Sequence, residues 1–306
     1  MDIEAFLSNL NTRQCSPGTI AQYESDLRVF EAFLKEKKLR VTQVRPRTIG
    51  AYVKFLAGRH NCKTGVKGLA IATVRRRLAS VSSFYEYLRG ASDGKIANPL
   101  RLVRRVRRPA RLPESVPEPT IEQLLQGIVS PRDKAIFALF VASGLRLSEL
   151  HQLNRGTIKV SKRVIDGELR TLGVGRVLGK GRKERDFLVD LPTLKLVATY
   201  LLARGPDGIE ALFISARHQR MSTRAIKERL HYWCQRLGIG RIHVHALRHV
   251  FATRLANAGI PGLVLQQLMG HENFAVTQQY FRIEESRLAR EYFAAMETIG
   301  GEKHSG

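Results

Sequence analysis

The chain has 306 residues, 43% of them apolar, which is ordinary for a folded protein and enough for two cores rather than one. It carries 51 Lys and Arg against 27 Asp and Glu, a net charge of +24 with a pI near 10.6, which points to a polyanionic partner, nucleic acid before an anionic membrane. A membrane span and a disulfide scaffold are excluded: the longest wholly apolar run, AIFALFVA at 135–142, is far too short, and Cys15, Cys62 and Cys234 are odd in number and widely spaced.

The N-terminal stretch MDIEAFLSNLNTR is acidic at Asp2 and Glu4 and has no long apolar core, unlike a secretory signal. A cytoplasmic, nucleoid-associated protein is expected. A short helix there is followed by SPGTIAQYESDLRVFEAFLKEKK, where Ser16 reads as the N-cap and Pro17 as the first helical residue. Ile20, Tyr23, Leu27, Phe30 and Leu34 recur at threes and fours and predict one buried stripe. RPRTIGAYVKFLAGR predicts a third helix and AIATVRRRLASVSSFYEYLRG a fourth, with Val74, Leu78, Val81, Phe84 and Leu88 inward. Arg75, Arg76 and Arg77 then fall on the other side, as a solvated face or a row of phosphate contacts.

Residues 1–111 hold 23 basic and 8 acidic side chains, most of the chain's excess charge. They end in RLVRRVRRPARLPESVPEPT, whose Arg104, Arg105, Arg107 and Arg108 and closely spaced prolines have the composition of an extended linker suited to a nucleic-acid backbone. From Thr120 the pattern changes. TIEQLLQGI and PRDKAIFALFVASGLRLSELHQL predict helices with a break at Ser143–Gly144. Residues 157–190 predict three strands, TIKVSKRVI, LRTLGVGRVLG and ERDFLVDL, with Gly179 and Gly181 bracketing Lys180 at a hairpin tip. Helices resume from Pro192. The predicted class is mainly α with a small antiparallel sheet: a helical, basic domain over 1–108, a basic, proline-rich linker over 109–119, and an α+β domain with a C-terminal tail helix over 120–306; the basic patches alone leave a DNA-binding regulator, an RNA-binding protein and a DNA enzyme open.

Four islands in the second domain hold residue types that carry chemistry. They are ASGLRLSELHQL with Arg146 and Glu149, VLGKGRKERDF with Lys180, HVHALRHVFATRLANAG with His245, Arg248 and His249, and LMGHENFAVTQQYF with His271 and Tyr280. His245 and His249 have the i, i+4 spacing of zinc ligands. HALRH lacks the glutamate of HExxH, however, and Arg248 would repel a cation.

Taken in order, these islands resemble the tyrosine recombinases, the phage integrase family. SGLRLSEL resembles the first arginine box, GKGRKER the hairpin lysine, HALRHVFATRLANAG the His-x-x-Arg helix, and LMGHENFAVTQQYF the box with the second histidine and the tyrosine. The resemblance covers about 120–285, and more loosely the basic helical first third, which is similar to the family's SAM-like core-binding domain. It implies a site-specific recombinase that cleaves and rejoins double-stranded DNA through a 3′-phosphotyrosyl link, with no metal and no other cofactor. By resemblance Tyr280 is the nucleophile, Arg146 and Arg248 stabilise the phosphate, His245 is the acid/base group and Lys180 protonates the leaving 5′-oxygen, with Lys183 as its alternative. His271 would bind the phosphate or position the tyrosine, while Glu149 and His249 support.

The same resemblance implies an Xer-like two-domain member that forms dimers and tetramers on its site through the C-terminal tail, with a second recombinase or accessory protein as a possible partner. Relaxation of the type IB topoisomerase kind, or DNA binding without cleavage, are the alternatives.

Overall fold

The structure is a computed structural model and describes residues 2–59, 68–103, 116–179, 183–278, 280–281 and 293. The chain divides into two compact units, Met1–Arg111 and Leu112–Gly306.

The first unit is helical. Helices α1 (Ile3–Thr12), α2 (Pro17–Glu36), α3 (Pro46–Gly58) and α4 (Ile71–Ala91) are joined with two short 3-10 turns, Val41–Gln43 and Pro99–Leu102. Asp2 caps α1 by accepting from the Ala5 amide, and Ser16 caps α2 by accepting from Thr19 at 3.2 Å, with Pro17 at the first position. Leu27, Phe30 and Leu34 are buried from the expected stripe of α2, and Phe33 joins them. From α4, Val74, Val81 and Phe84 are buried together with Tyr85, while Leu78 and Leu88 pack at the margin. Phe6 of α1 meets Phe84 edge to face at 5.5 Å, and Phe30 meets Tyr52 of α3 at 4.9 Å. Each such ring contributes roughly 1.5–3 kcal/mol by burial, so these contacts are the main tie between the helices.

An acidic residue sits inside this core. Asp26 of α2 is fully buried and accepts from Ser80 Oγ at 2.8 Å and from Arg76. Arg77 Nε lies 3.6 Å from the same carboxylate. The arginines of α4 therefore do not form one outward row. Arg75 is exposed, whereas Arg76 and Arg77 turn toward Asp26, because a buried carboxylate needs cationic partners. Arg104, Arg105, Arg107 and Arg108 lie outside the described residues.

The second unit is built around α6 (Pro131–Ser143), whose residues 135–141 are all buried. That explains the long apolar run: the helix is surrounded and has no wet face. Helix α5 (Glu118–Gly127) precedes it. Around it lie α8 (Leu191–Arg204), α10 (Val244–Asn257) and strand β3 (Glu184–Val189). Buried Asp133, in the first turn of α6, accepts from Trp233 Nε1 at 2.8 Å and Arg229 Nε at 2.7 Å, both on α9 (Thr223–Arg236).

The sheet has strands β1 (Ile158–Ile165), β2 (Glu168–Leu178) and β3 (Glu184–Val189) in that order, antiparallel throughout. Asp166 and Gly167 make the β1–β2 turn, both with positive φ, and Val164 pairs with Leu169 beside it. Phe187 and Val189 of β3 enter the core. The short α7 (Leu147–Gln152), α11 (Gly262–Met269) and α12 (Ala275–Gln278) complete the unit. The helix reading resumed at Pro192 omits a break: residues 205–222 form an irregular connection with two isolated bridges.

Candidate active site

Two helix C-termini build the site. Helix α6 ends at Gly144, in the left-handed region at φ 58°, where a Cβ would lie 2.3 Å from the Phe251 ring. Only glycine fits there, and it turns the chain so that Arg146 begins α7. Helix α11 ends in the same way at Gly270, φ 59°. Its last carbonyls face Gly144 across a narrow gap.

Three guanidinium groups fill that gap. Arg248, a residue of α10 only 2% exposed, donates to the carbonyls of Gly144 and Met269. Arg146 donates to the Gly270 carbonyl at 2.8 Å and to Glu149 Oε1 at 2.7 Å. Arg185, on β3, donates to the Leu268 carbonyl and to Glu149 Oε2, both at 2.6 Å. Consecutive carbonyls of one helix end are thus each assigned to a different arginine. The negative end of the helix dipole offsets part of the positive charge, and Glu149 is the carboxylate that Arg146 and Arg185 share.

Burial, then Arg146 and Arg185, push the Arg248 pKa down to about 9, so it stays charged at neutral pH. Burial also pushes the Glu149 carboxyl up, but hydrogen bonds from Arg185 and Arg146 outweigh it and hold the group below the usual carboxylate range. Three cations against one carboxylate leave an excess of positive charge that a phosphate dianion or diester would satisfy.

The histidines lie around this cluster. His271 follows Gly270 and shares a 2.9 Å hydrogen bond between its Nδ1 and the buried Thr277 hydroxyl. Burial and then Arg248 and Arg146 lower its pKa to about 4. His245 and His249 lie one turn apart on α10, rings edge to face with centroids 4.6 Å apart. His249 Nδ1 is hydrogen bonded to the Tyr280 hydroxyl. Its pKa is lowered to about 4 by burial, then by His245 and Arg248. Burial, Arg248 and Arg146 lower that of His245 as well.

A cleft of about 1030 Å³ opens beside Arg146, Arg185, Lys183 and His271. A smaller hollow of about 300 Å³ has His245 on its wall with Lys227, His231, Arg241 and His243. Among the described residues no three His, Cys, Asp or Glu side chains gather as a metal site.

The fold therefore brings Arg146, Glu149, Arg248 and His271 into one cluster, with His245, His249 and Tyr280 alongside it. Lys180 lies outside the described residues. Lys183 is described, and its Nζ lies 3.0 Å from Glu272 at the surface. Two features add to the sequence reading. His249 touches the tyrosine hydroxyl directly, because α10 turns Arg248 inward and presents both histidines on a neighbouring side. Arg185 is the second, a residue that none of the sequence motifs marks. Its signal was a basic residue in the inward alternation of Arg185, Phe187 and Val189 on β3.

Residues 115–287 match the phage integrase family, and residues 3–91 match the N-terminal SAM-like domain of phage integrases. The chain belongs to the phage integrase family and is a tyrosine-type site-specific DNA recombinase, an enzyme that breaks and rejoins DNA. It is 31% identical to tyrosine recombinase XerC of Myxococcus xanthus, with 96% of each chain covered. It is 30% identical to tyrosine recombinase XerD of Shewanella oneidensis, with 94% of this chain and 93% of the relative covered. The fold is also that of the XerH recombinase crystallised on a palindromic difH substrate after cleavage, at TM-score 0.72 and 18% identity over 94% of this chain and 84% of that one. It is likewise that of the Tn1549 transposon integrase on circular intermediate DNA, at TM-score 0.71 and 16% identity over 96% of this chain and 98% of that one. Among the described residues no helix is long and apolar enough to cross a membrane.

Proposed function

We propose that the Tyr280 hydroxyl attacks a DNA phosphodiester held by Arg146 and Arg248, forming a 3′-phosphotyrosyl bond and releasing a 5′-hydroxyl strand. The convergence of residues more than a hundred positions apart carries this reading: Arg146 and Arg248 both grip the α11 turn, beside a histidine bonded to Tyr280. A free tyrosine ionises near pH 10 and attacks poorly without a base. His249 is kept neutral, so its ring accepts the hydroxyl proton as the Tyr280 oxygen bonds to phosphorus. A bound phosphate beside the ring favours the protonated form and draws that transfer forward.

Arginine forks match the non-bridging oxygens where charge builds up. His245 and His271 border the same anion, and Lys180 supplies the proton to the departing 5′-oxygen. The bond energy is retained in the phosphotyrosine, and a second 5′-hydroxyl reverses the step.

The helical unit, with Arg75 and the arginines at 104–108, binds the duplex backbone. The tail beyond Tyr280 docks on a second copy, giving dimers on one site and tetramers at synapsis, with a second recombinase or an accessory protein as a possible partner. Its setting is the cytoplasm, at the nucleoid, resolving DNA multimers or moving a small element. The likeness of nearly the whole chain to XerC and XerD supports these points.

The test is a duplex selected from a random-sequence library on the full chain, then nicked within the bound site. Wild type should form an SDS-stable protein–DNA adduct and Tyr280→Phe none. An undiminished adduct in Tyr280→Phe overturns the assignment.

A further inference from the structure

Arg185 is the most heavily engaged side chain near the site that the recombination chemistry does not use. Its side chain is 8% exposed and that of Glu149 is 1% exposed. It donates to both Glu149 oxygens, at 3.3 Å from Nε and 2.6 Å from Nη2, and to the Leu268 carbonyl at 2.6 Å. A longer contact of 3.5 Å reaches the Gly144 carbonyl. One planar fork thus spans the end of α6, the first turn of α7 and the end of α11, from a strand that starts beside the hairpin tip. Gly270 is fitted to it: a Cβ there would fall 2.5 Å from Arg185 Cδ.

Its contacts are those on which the phosphate-facing groups depend. Glu149 is the carboxylate that holds Arg146, through both the Arg146 amide at 2.7 Å and its guanidinium. Gly144 carries Arg248, and Leu268 adjoins the Met269 and Gly270 carbonyls that Arg248 and Arg146 use. We propose that Arg185 is a positioning residue of the recombinase: it clamps Glu149 and the α11 turn so that Arg146 and Arg248 present their forks to the scissile phosphate. Lysine cannot do the same, because a single ammonium has no rigid fork to span a carboxylate and two carbonyls. This inference rests on the phosphotyrosyl reading above.

The charged groups facing Glu149 are Arg146 beside it, Arg185 from β3 and Arg248 from α10. Without Arg185, burial raises the Glu149 pKa, since the largest opposing partner is gone. Protonated Glu149 releases Arg146. A structural plug would not create such a titration.

The experiment measures single-turnover adduct formation on the selected, nicked duplex from pH 5 to 9, with duplex affinity measured in parallel. Arg185→Gln should lower the rate about 100-fold at pH 8, change affinity less than about threefold, and add a limb in which the rate falls with acid at a pH where wild type is flat. Arg185→Lys should recover part of the rate and move the limb back down. Arg185→Gln/Glu149→Gln should lose the limb and be no slower than Glu149→Gln alone. A wild-type rate in Arg185→Gln, a loss with an unchanged pH profile, or additive losses in the double variant would overturn the inference. If Arg185→Gln does not fold, the lysine variant decides, by showing or lacking the limb. A wild-type chain that forms no adduct overturns the functional reading, and this inference with it.

Discussion

Replacing Gly144 by alanine separates two costs that are usually confounded. The residue sits at φ 58°, and the added Cβ would lie 2.3, 2.7 and 3.1 Å from three atoms of the Phe251 ring. The left-handed conformation costs an alanine about 1 kcal/mol. The ring clash is a separate, overpacking cost of about 1–3 kcal/mol, because Phe251 is buried beside Ala252 and Met269 and cannot swing away freely. The expected loss is therefore about 2–4 kcal/mol. Gly238 supplies the control: it closes α9 at φ 64° with nothing within 4 Å of the added carbon, so Gly238→Ala should cost only about 1 kcal/mol.

Trp233, buried and the chain's only tryptophan, reports on this unit alone, so urea melts followed by its fluorescence give both values. The same shift moves the carbonyl that holds Arg248, so Gly144→Ala should also slow adduct formation by at least tenfold, whereas Gly238→Ala should leave it within twofold. Equal melting midpoints for the two variants would refute the argument from Phe251.

Two further outcomes follow from buried ionisable groups. Asp133→Ala leaves the Trp233 indole and the Arg229 guanidinium without their acceptor, so it should cost about 3–5 kcal/mol in the same melts, and a loss under 1 kcal/mol would show the contacts to be incidental. His249 and His271 have folded-state pKa values of about 4, below the unfolded value near 6.5. The unfolded chain therefore binds more protons between those values, and stability should fall as pH drops from about 6.5 toward 4. The urea midpoint should be lower at pH 5 than at pH 7.5, and the drop should shrink in His249→Gln/His271→Gln. An equal drop in the variant would assign the acid sensitivity to other groups.

Much of this protein could be read along the chain because the signals are local. Ser16 and Pro17 start α2, the apolar run of 135–142 becomes the central helix, and the alternation in 157–190 becomes three strands. Each depends on neighbours within a few residues. So did the four boxes, whose spacing is preserved whatever packs against them. Three features were decided by tertiary structure. Arg76 and Arg77 look like part of a basic face until α2 places buried Asp26 against them. His249 reads only as a supporting residue until the chain returns 31 residues later and sets Tyr280 on its Nδ1. Arg185 looks like one more charge in GKGRKER until β3, α7 and α11 meet around it. The physical reason is the same in each case. A charge's role is set by the partners that burial brings to it, and those partners lie 31 to 83 residues away or more. Local sequence specified which residue types could bind a phosphate; only the packing of two helix ends decided that Arg146, Arg185 and Arg248 lie together around Glu149 and the α11 turn.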